Sequence, residues 1–268
     1  MSDAHGNLAA LEAALADART FCPDLIAHVG DMVNGPSSAG VMDYLSAEGI
    51  GGVLGNHEEY VLRCEEPDAP PLWKTDRFAP AQWTRRSLTS EHLATLGTWP
   101  ITRRVHPDVV LVHGTTRSLR EDFRAETPDR TVQALYEDLD AGVVAVGHTH
   151  LALVRKIAGK LYVNVGSTGI TLDDDPRASY GLLTCRRGVW EAVIRRVPYS
   201  TTPVLVAARN DGWLSEGGGV AAAMVHEMLT GTNWTTPFLL WWGRTCPKSS
   251  SIDAYRTFAR MRQIEPLI

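Results

Sequence analysis

The chain has 268 residues, which at roughly 150 residues per domain allows one large domain or two small ones. Apolar residues make up 44% and charged residues 21%, a globular composition that excludes disordered and collagen-like chains. The net charge is −5 and no run of Lys or Arg occurs, which excludes the basic surface expected of a nucleic-acid-binding protein.

The first 150 residues alternate between amphipathic helices and short apolar strands. Near the N-terminus, Leu8, Leu11 and Leu15 recur at helical spacing and share one face. In chain order, the pattern predicts helices at 7–19, 38–48, 57–64, 80–88, 90–96 and 128–139, and strands at 25–29, 52–54, 109–112 and 143–146. This alternation is typical of a largely parallel sheet covered by helices.

After residue 150 the pattern changes to hairpins and then to helices. The predicted elements are strands at 151–157, 161–165, 178–185 and 189–197, and helices at 204–212, 219–230 and 252–262. Residues 201–268 hold seven of the 20 aromatic residues, which is unusual for a free linker. We therefore expect a domain formed by residues 1–200 and a helical C-terminal extension, residues 201–268, packed on the same domain.

Four predicted strands end directly in short polar motifs. These motifs are Gly30–Asp31 (GD), Gly55–Glu58 (GNHE), His113–Gly114 (HG) and Gly147–His150 (GHTH). In open α/β sheets, sites form where loops gather at the carboxyl ends of strands. We therefore expect the four motifs to converge on one crevice.

The polar residues of these motifs, together with two near the N-terminus, form a candidate metal-binding set. They are Asp3, His5, Asp31, Asn56, His57, His113, His148 and His150. Carboxylate, amide oxygen and imidazole suit Mn, Fe, Zn, Co or Ni rather than calcium or a thiolate zinc site. Each motif alone also occurs as an ordinary turn or cap, so the prediction rests on their conjunction after successive strands.

In this order the motifs resemble the signature of the calcineurin-like metallophosphoesterases: D-x-H, G-D, G-N-H-[ED], H-G and G-H-x-H. The resemblance covers about residues 2–197 and implies an α/β fold, a four-layer α/β/β/α sandwich of two mixed β-sheets. A less specific resemblance to a bacterial and archaeal phosphodiesterase-like subgroup extends to the helical tail. It rests on Gly30–Pro36, Asp175–Tyr180 and Arg195–Tyr199.

The resemblance implies two divalent metal ions, with Mn favoured, and a metal-bridging hydroxide as the nucleophile. The implied ligands are Asp3, His5, Asp31 and His150 for one ion, and Asp31, Asn56, His113 and His148 for the other. The resemblance implies that Asp31 bridges the two ions, which agrees with the need for a shared carboxylate between two cations that repel each other at roughly 3.5–4 Å. His57 would be the general acid that donates a proton to the leaving alkoxide.

Serine/threonine protein phosphatases carry the pattern G-D-x-V-D-R-G, as do the symmetrical dinucleoside tetraphosphatases that resemble them. This chain departs from that pattern. Asn34 and Gly35 replace the Asp and Arg of that pattern, and neither can mimic a bidentate phosphate clamp. This argues against protein phosphatase activity. Arg177 is a candidate for the substrate-binding arginine, although we favour the interpretation that Arg177 forms an ion pair with a carboxylate of Asp173–Asp175.

The apolar strand that precedes D-x-H in most members of the family is missing from this sequence, where Met1 stands just before Ser2. Without that strand, its neighbours are expected to expose unpaired backbone groups. We expect a mis-assigned start codon, with a genuine truncation that weakens the first metal site as the alternative.

Cysteine spacing and hydropathy bear on the compartment. The four cysteines, Cys22, Cys64, Cys185 and Cys246, lie far apart and are expected to be reduced thiols. No apolar stretch approaches roughly 18 residues, and the N-terminus lacks the features of a signal peptide. We therefore expect a cytoplasmic protein with no membrane partner.

The expected function is that of a binuclear metal-dependent phosphodiesterase acting on a small phosphate ester or nucleotide. A dinucleoside polyphosphate hydrolase is a variant of this function. A non-catalytic, protein-binding scaffold of the same fold is the alternative from a different class. A scaffold is expected to lose metal ligands, whereas this chain keeps all seven together with His57.

Overall fold

The computed structural model describes all 268 residues of the chain. The helices are α1 (Leu8–Arg19), α2 (Ser38–Ala47), α3 (Asn56–Arg63), α4 (Ala79–Ser87), α5 (Ser90–Gly97), α6 (Asp129–Leu135), α7 (Thr202–Asn210), α8 (Trp213–Thr230), α9 (Thr235–Thr245) and α10 (Ser251–Met261). Two short 3₁₀ turns, Pro71–Lys74 and Asp76–Phe78, precede α4. None of the helices combines the length and the apolar character that crossing a membrane requires.

The strands form two sheets. They are β1 (Thr102–His106), β2 (Val109–Val112), β3 (Val143–Val146), β4 (Leu153–Ile157), β5 (Lys160–Asn164), β6 (Ala178–Arg186) and β7 (Val189–Val197). The larger sheet has the order β1-β2-β3-β5-β4, with β2, β3 and β5 parallel and the two edge strands antiparallel. Because the carboxyl ends of β2 and β3 meet at one edge, the residues that follow them, His113 and His148, lie close together.

The second sheet is the β6–β7 hairpin. Three further segments, around residues 167, 2 and 29, continue it through a few hydrogen bonds and do not form regular strands. The amide of Thr168 donates to the Ser2 carbonyl (2.8 Å) on one side of the first residues. On the other side, the amide of Val29 donates to the Met1 carbonyl (2.9 Å). The first residues of the chain thus lie between two neighbouring segments and are hydrogen-bonded to both.

The predicted strands at 25–29 and 52–54 are not confirmed as regular strands. They share only one bridge, between His28 and Gly52. The extended conformation ends at Gly30 and Asp31, whose φ angles of +93° and +54° turn the chain before a longer ladder can form. The Gly30–Asp31 motif that forms this turn nevertheless brings Asp31 to His113 and His148, as expected.

The helices and the two sheets form four layers, with an apolar core between each pair of neighbouring layers. Along β3, Val143 and Ala145 join the core between the two sheets, whereas Val144 and Val146 join the core beneath α6. This alternation follows from the two-residue period of a strand. On the far side, α1 packs on the second sheet through Leu11. The expected α/β/β/α sandwich is therefore confirmed.

Helices α7–α10 enclose a further apolar core that contacts α4. Trp83 of α4 packs edge-to-face on Trp213 of α8, with ring centroids 5.4 Å apart. Helix α8 starts earlier than the predicted helix at 219–230 and bends at Gly218, whose φ of +64° and ψ of −150° are not helical. The extension therefore rests on the body of the molecule through aromatic contacts.

Apart from the two 3₁₀ turns, one strand and one helix were not predicted from the sequence. Strand β1 carries the polar sequence TRRVH, because it lies at the sheet edge and most of its side chains are exposed. Helix α9 contains Pro237 in its first turn, where a backbone N–H would have no partner within the helix, so the proline costs no hydrogen bond. Both elements depend on tertiary packing more than on local pattern.

Candidate metal centre

The structure brings the predicted ligands together at the carboxyl edge of the larger sheet. Three groups each have ligand atoms within 4.8 Å of one another: Asp3, His5 and His150; His5, Asp31 and His57; and Asp31, His113 and His148. Because His5 and Asp31 each belong to two groups, the three groups form one continuous cluster. Asn56 joins it through its side-chain oxygen, which lies 3.0 Å from His113 Nε2.

One end of the cluster is built around Asp3. His150 Nε2 lies 3.3 Å and His5 Nε2 lies 3.9 Å from Asp3 Oδ1. The two Nε2 atoms are 3.1 Å apart. Two imidazole lone pairs at this distance repel each other unless a proton or a cation lies between them.

The other end is built around Asp31. His113 Nε2 lies 3.2 Å from Asp31 Oδ2, and the His148 ring meets the His113 ring edge-on, with centroids 5.3 Å apart. Asp31 Oδ1 accepts a hydrogen bond from the His57 amide (2.8 Å), which ties the carboxylate to the start of α3. Asp31 is therefore held between the two ends of the cluster.

Two histidine tautomers are fixed by backbone carbonyls. His113 Nδ1 donates to the Val29 carbonyl (2.7 Å), and His150 Nδ1 donates to the Ile170 carbonyl. In the neutral rings this leaves the Nε2 lone pairs free to face the cluster, an arrangement typical of metal-ligating histidines. The buried atoms Asp3 Oδ1 and His5 Nδ1 also have no hydrogen-bond partner in the protein. The donor set and its unpartnered oxygen fit divalent cations.

Burial and close charges perturb the protonation of these residues. Burial opposes ionisation of Asp31, but the facing His113 and His57 rings outweigh it and hold the pKa of Asp31 well below its usual value. Burial likewise opposes the charge of His113, but the Asp31 carboxylate raises the pKa of His113 to about 10. Burial and the neighbouring His57 and His150 rings lower the pKa of His5 well below its usual value. A divalent cation would therefore compete with the proton that His113 holds.

Five of the predicted ligands have left-handed backbone conformations. The φ angles are +52° at Asp3, +46° at His5, +54° at Asp31, +70° at His148 and +62° at His150. For residues other than glycine this conformation costs of order 1–3 kcal/mol each, and it concentrates at functional sites. The surrounding fold therefore holds these side chains in place against a local backbone preference.

Glu58 has a role that the sequence motif alone did not reveal. Its carboxylate is fully buried and accepts hydrogen bonds from the amides of Asp31 (2.7 Å), Met32 (2.7 Å), Val33 (3.1 Å) and Gly55 (2.8 Å). Burial and the neighbouring Asp31 charge raise the pKa of Glu58 to about 7. Glu58 thus joins the loop that carries Asp31 to the start of α3.

His57 projects from α3 beside the cluster. Its ring meets the His5 ring edge-on, with centroids 4.6 Å apart, and its Nδ1 contacts the Asn34 amide nitrogen. Burial lowers the pKa of His57 to about 4, against the opposing effect of the Asp31 carboxylate. The contact with Asn34 was not predicted, because it joins two loops that are distant in sequence.

An open cleft of about 460 Å³ leads to the cluster. His5, His57, His148 and His150 line its floor, and Arg124 contributes a cation from the loop between β2 and α6. Arg177 does not line this cleft. Its guanidinium instead binds Asp175, with Nη2 2.7 Å from Oδ2, so the ion-pair interpretation of Arg177 fits the structure.

A family model, the calcineurin-like phosphoesterase superfamily domain, matches residues 1–188 of this chain. The chain belongs to this family. A metallophosphoesterase from Sphaerobacter thermophilus is 25% identical, with a TM-score of 0.68 over 87% of this chain and 98% of that chain. A hypothetical protein from Pyrococcus horikoshii OT3 is 15% identical, with a TM-score of 0.68 over 87% of this chain and 97% of that one. No curated protein matches the chain.

Membership of the calcineurin-like family confirms the resemblance and the fold that the motifs indicated. The family is typically dependent on divalent metals, and the Asp and His groups described above could hold such ions. Because the chain belongs to this family, its positions 34 and 35 can be compared with the protein phosphatase pattern. Asn34 and Gly35 replace the Asp and Arg of that pattern.

Gly35 is held in direct contact with the backbone of the first metal-ligand loop. A Cβ atom at position 35 would lie 1.6 Å from the His5 carbonyl oxygen. No larger residue fits there without moving His5. The arginine of the protein phosphatase pattern could therefore not stand at this position without separating the two loops.

Replacing Gly35 with alanine is expected to displace the loop that carries His5. We expect a loss of about 1–3 kcal/mol in the free energy of unfolding from overpacking, and ~10–100-fold weaker metal binding from the disturbed ligand. Urea denaturation and titration with Mn²⁺ measure the two effects. Gly97→Ala is the control, because a Cβ there meets nothing within 4 Å. Equal metal affinity in Gly35→Ala and wild type would contradict the prediction.

Proposed function

We propose that the protein is a metal-dependent phosphoesterase that hydrolyses phosphodiesters of small molecules or nucleotides. The observation that carries this proposal is the continuous cluster of carboxylates and imidazoles on the floor of an open cleft. Every ligand type expected for a two-cation phosphoesterase site is retained, which favours an enzyme over a non-catalytic scaffold.

We assign two divalent cations to the cluster, with Mn²⁺ favoured. One would be held by Asp3, His5, Asp31 and His150, and the other by Asp31, Asn56, His113 and His148. When bound, the cations supply neutralisation of the phosphate charge and activation of the attacking water. Asp31 serves both because it lies between the two ends of the cluster.

His57 is proposed to take up a proton beside the anionic substrate and to donate it to the leaving oxygen, because in the free cleft burial lowers the pKa of His57 to about 4. Its ring lines the cleft, and Asn34 holds its Nδ1 edge, so that Nε2 is the atom free to act. The Asn34 side-chain oxygen has no partner of its own, so the amide can present either a donor or an acceptor to the ring. Asn34 is thus a positioning residue that can pair with His57 in both protonation states.

Replacing His57 with alanine is expected to leave metal binding intact and to slow hydrolysis by about 10²–10⁴-fold for alkyl esters. The loss should be much smaller for p-nitrophenyl esters, because their leaving group departs without a proton. Metal content and rates on an aryl and an alkyl ester measure this. Equal losses on both esters would show that His57 does not act as a general acid.

The proposed activity is tested with bis(p-nitrophenyl) phosphate in the presence of Mn²⁺. We expect hydrolysis that is abolished by a chelator and restored by added Mn²⁺. A panel of phosphomonoesters, nucleotide diesters and one dinucleoside polyphosphate then separates the substrate classes. Metal binding without hydrolysis of any member of the panel would favour the protein-binding scaffold.

A further inference from the structure

The helical extension contributes one side of the cleft. Met224 and Glu227 of α8, Asn233 in the following turn, and Thr235 and Thr236 of α9 all line it. We call these five residues the helical wall. The calcineurin-like family model ends at residue 188, so this wall is formed by the part of the chain that the model does not cover.

The polar groups of the helical wall already pair largely with one another. Glu227 accepts hydrogen bonds from the amides of Trp234 (2.9 Å) and Thr235 (2.7 Å) and from the Thr235 hydroxyl (2.8 Å). The Thr236 amide donates to Asn233 Oδ1 (3.3 Å). The first amides of α9 are therefore occupied, and a buried carboxylate lies behind them. This wall is unsuited to a second phosphate.

Apolar side chains lie next to the helical wall. Ile170 and Leu172, from the loop that precedes β6, line the cleft together with Met224. The one cationic side chain that lines the cleft without being a histidine is Arg124, and its Nη2 lies 3.3 Å from Asp122. The half-buried Leu172 provides the accessible apolar surface beside the helical wall, since Ile170 and Met224 are nearly buried. The wall itself adds hydroxyls and an amide, without a net positive charge.

The floor of the cleft has two ends, one at His57 and the other at the helical wall. His57 contacts His5, His5 lies against His150, and the His150 ring is bonded to the Ile170 carbonyl beside the helical wall. If His57 serves the leaving oxygen, the leaving group lies at the His57 end. The ester group that remains on phosphorus then points toward the helical wall.

We propose that the helical wall, with Ile170 and Leu172, binds the retained ester group of the substrate. That group is uncharged, presents apolar surface together with hydrogen-bonding atoms, and has the size of an aryl or nucleoside group. The substrate class is therefore a phosphodiester with one bulky retained group, rather than a phosphomonoester. This inference rests on the proposed phosphodiesterase function and deepens it.

The test compares two diesters with the same leaving group, bis(p-nitrophenyl) phosphate and methyl p-nitrophenyl phosphate. We expect wild type to favour the diaryl ester in kcat/KM by about 10-fold or more after division by the ratio of the two uncatalysed rates, because the pocket gains apolar contact with the larger retained group. Thr236→Trp narrows the subsite and Leu172→Ala removes apolar surface, so each should lower this ratio several-fold. Metal content should match wild type in both variants.

Leu240→Trp is the matched control, because it adds the same side chain to α9 at an exposed position outside the cleft. The control should keep the wild-type ratio. Failure of wild type to hydrolyse either diester would overturn the proposed function itself. Hydrolysis of both diesters with a ratio near one, or a ratio unchanged in Thr236→Trp and Leu172→Ala, would overturn only the assignment of the helical wall.

Discussion

Asp31→Ala is expected to abolish metal binding and hydrolysis together. Asp31 is the carboxylate shared by two of the three ligand groups, and it is almost completely buried between His113 and His57. Its loss removes a ligand from both proposed cations and several kcal/mol of charge stabilisation. At about 1.4 kcal/mol per tenfold change in rate, kcat/KM should fall by at least ~10³-fold. Elemental analysis and a diester assay measure the two losses.

Asp31→Asn separates the charge of this residue from its shape. The amide can still accept the bond from the His57 amide, so the local fold should persist, whereas metal binding should fail nearly as completely as in Asp31→Ala. Asp43→Asn, an exposed replacement of the same kind on α2, should behave as wild type. Full metal content in either Asp31 variant would refute the shared-carboxylate assignment.

Glu58→Ala is expected to cause the largest loss of stability among single replacements near the site. Four backbone amides donate to this one buried carboxylate, and removal leaves them without partners. Each unpaired buried donor costs about 1–3 kcal/mol. Allowing for relaxation and entry of water, we expect a loss of roughly 3–5 kcal/mol in the free energy of unfolding, comparable with breaking a buried ion pair. Urea denaturation of the metal-free protein measures it.

The control for Glu58 is Glu12→Ala, because Glu12 is an exposed residue of α1. That replacement should change the free energy of unfolding by no more than about 0.5 kcal/mol. Glu58→Gln should fall between the two, since its one carbonyl oxygen can accept only some of the four bonds. A Glu58→Ala variant as stable as Glu12→Ala would show that the four hydrogen bonds do not stabilise the loop.

The convergence of the polar motifs was predictable from rules that act locally along the chain, whereas the four-layer sandwich and the assignment of ligands were expected from the family resemblance. Apolar runs such as Val109–Val112 and Val143–Val146 identify buried parallel strands, and such strands present their following residues at one edge. His113 and His148 could therefore be placed side by side without coordinates.

The contacts between distant loops could not be predicted in this way. Glu58 and Asn34 pair with groups more than 20 residues away, and no periodicity marks such partners. The strand predicted at 25–29 failed for a related reason, because the chain turns with positive φ at Gly30 and Asp31, where the Asp31 amide donates to the carboxylate of Glu58, 27 residues away. Helix α9, with its early proline, is stabilised by packing on α10, where Phe238 meets Phe258 with ring centroids 5.6 Å apart, rather than by intrinsic propensity.

The carboxylate of Glu227 fastens the end of α8 to the start of α9 across the short turn 231–234. Insertions or deletions in this turn would shift one side of the cleft while leaving every side chain of the metal cluster where it is. Turn length therefore offers evolution, and protein engineering, a way to change which molecules enter without rebuilding the chemistry.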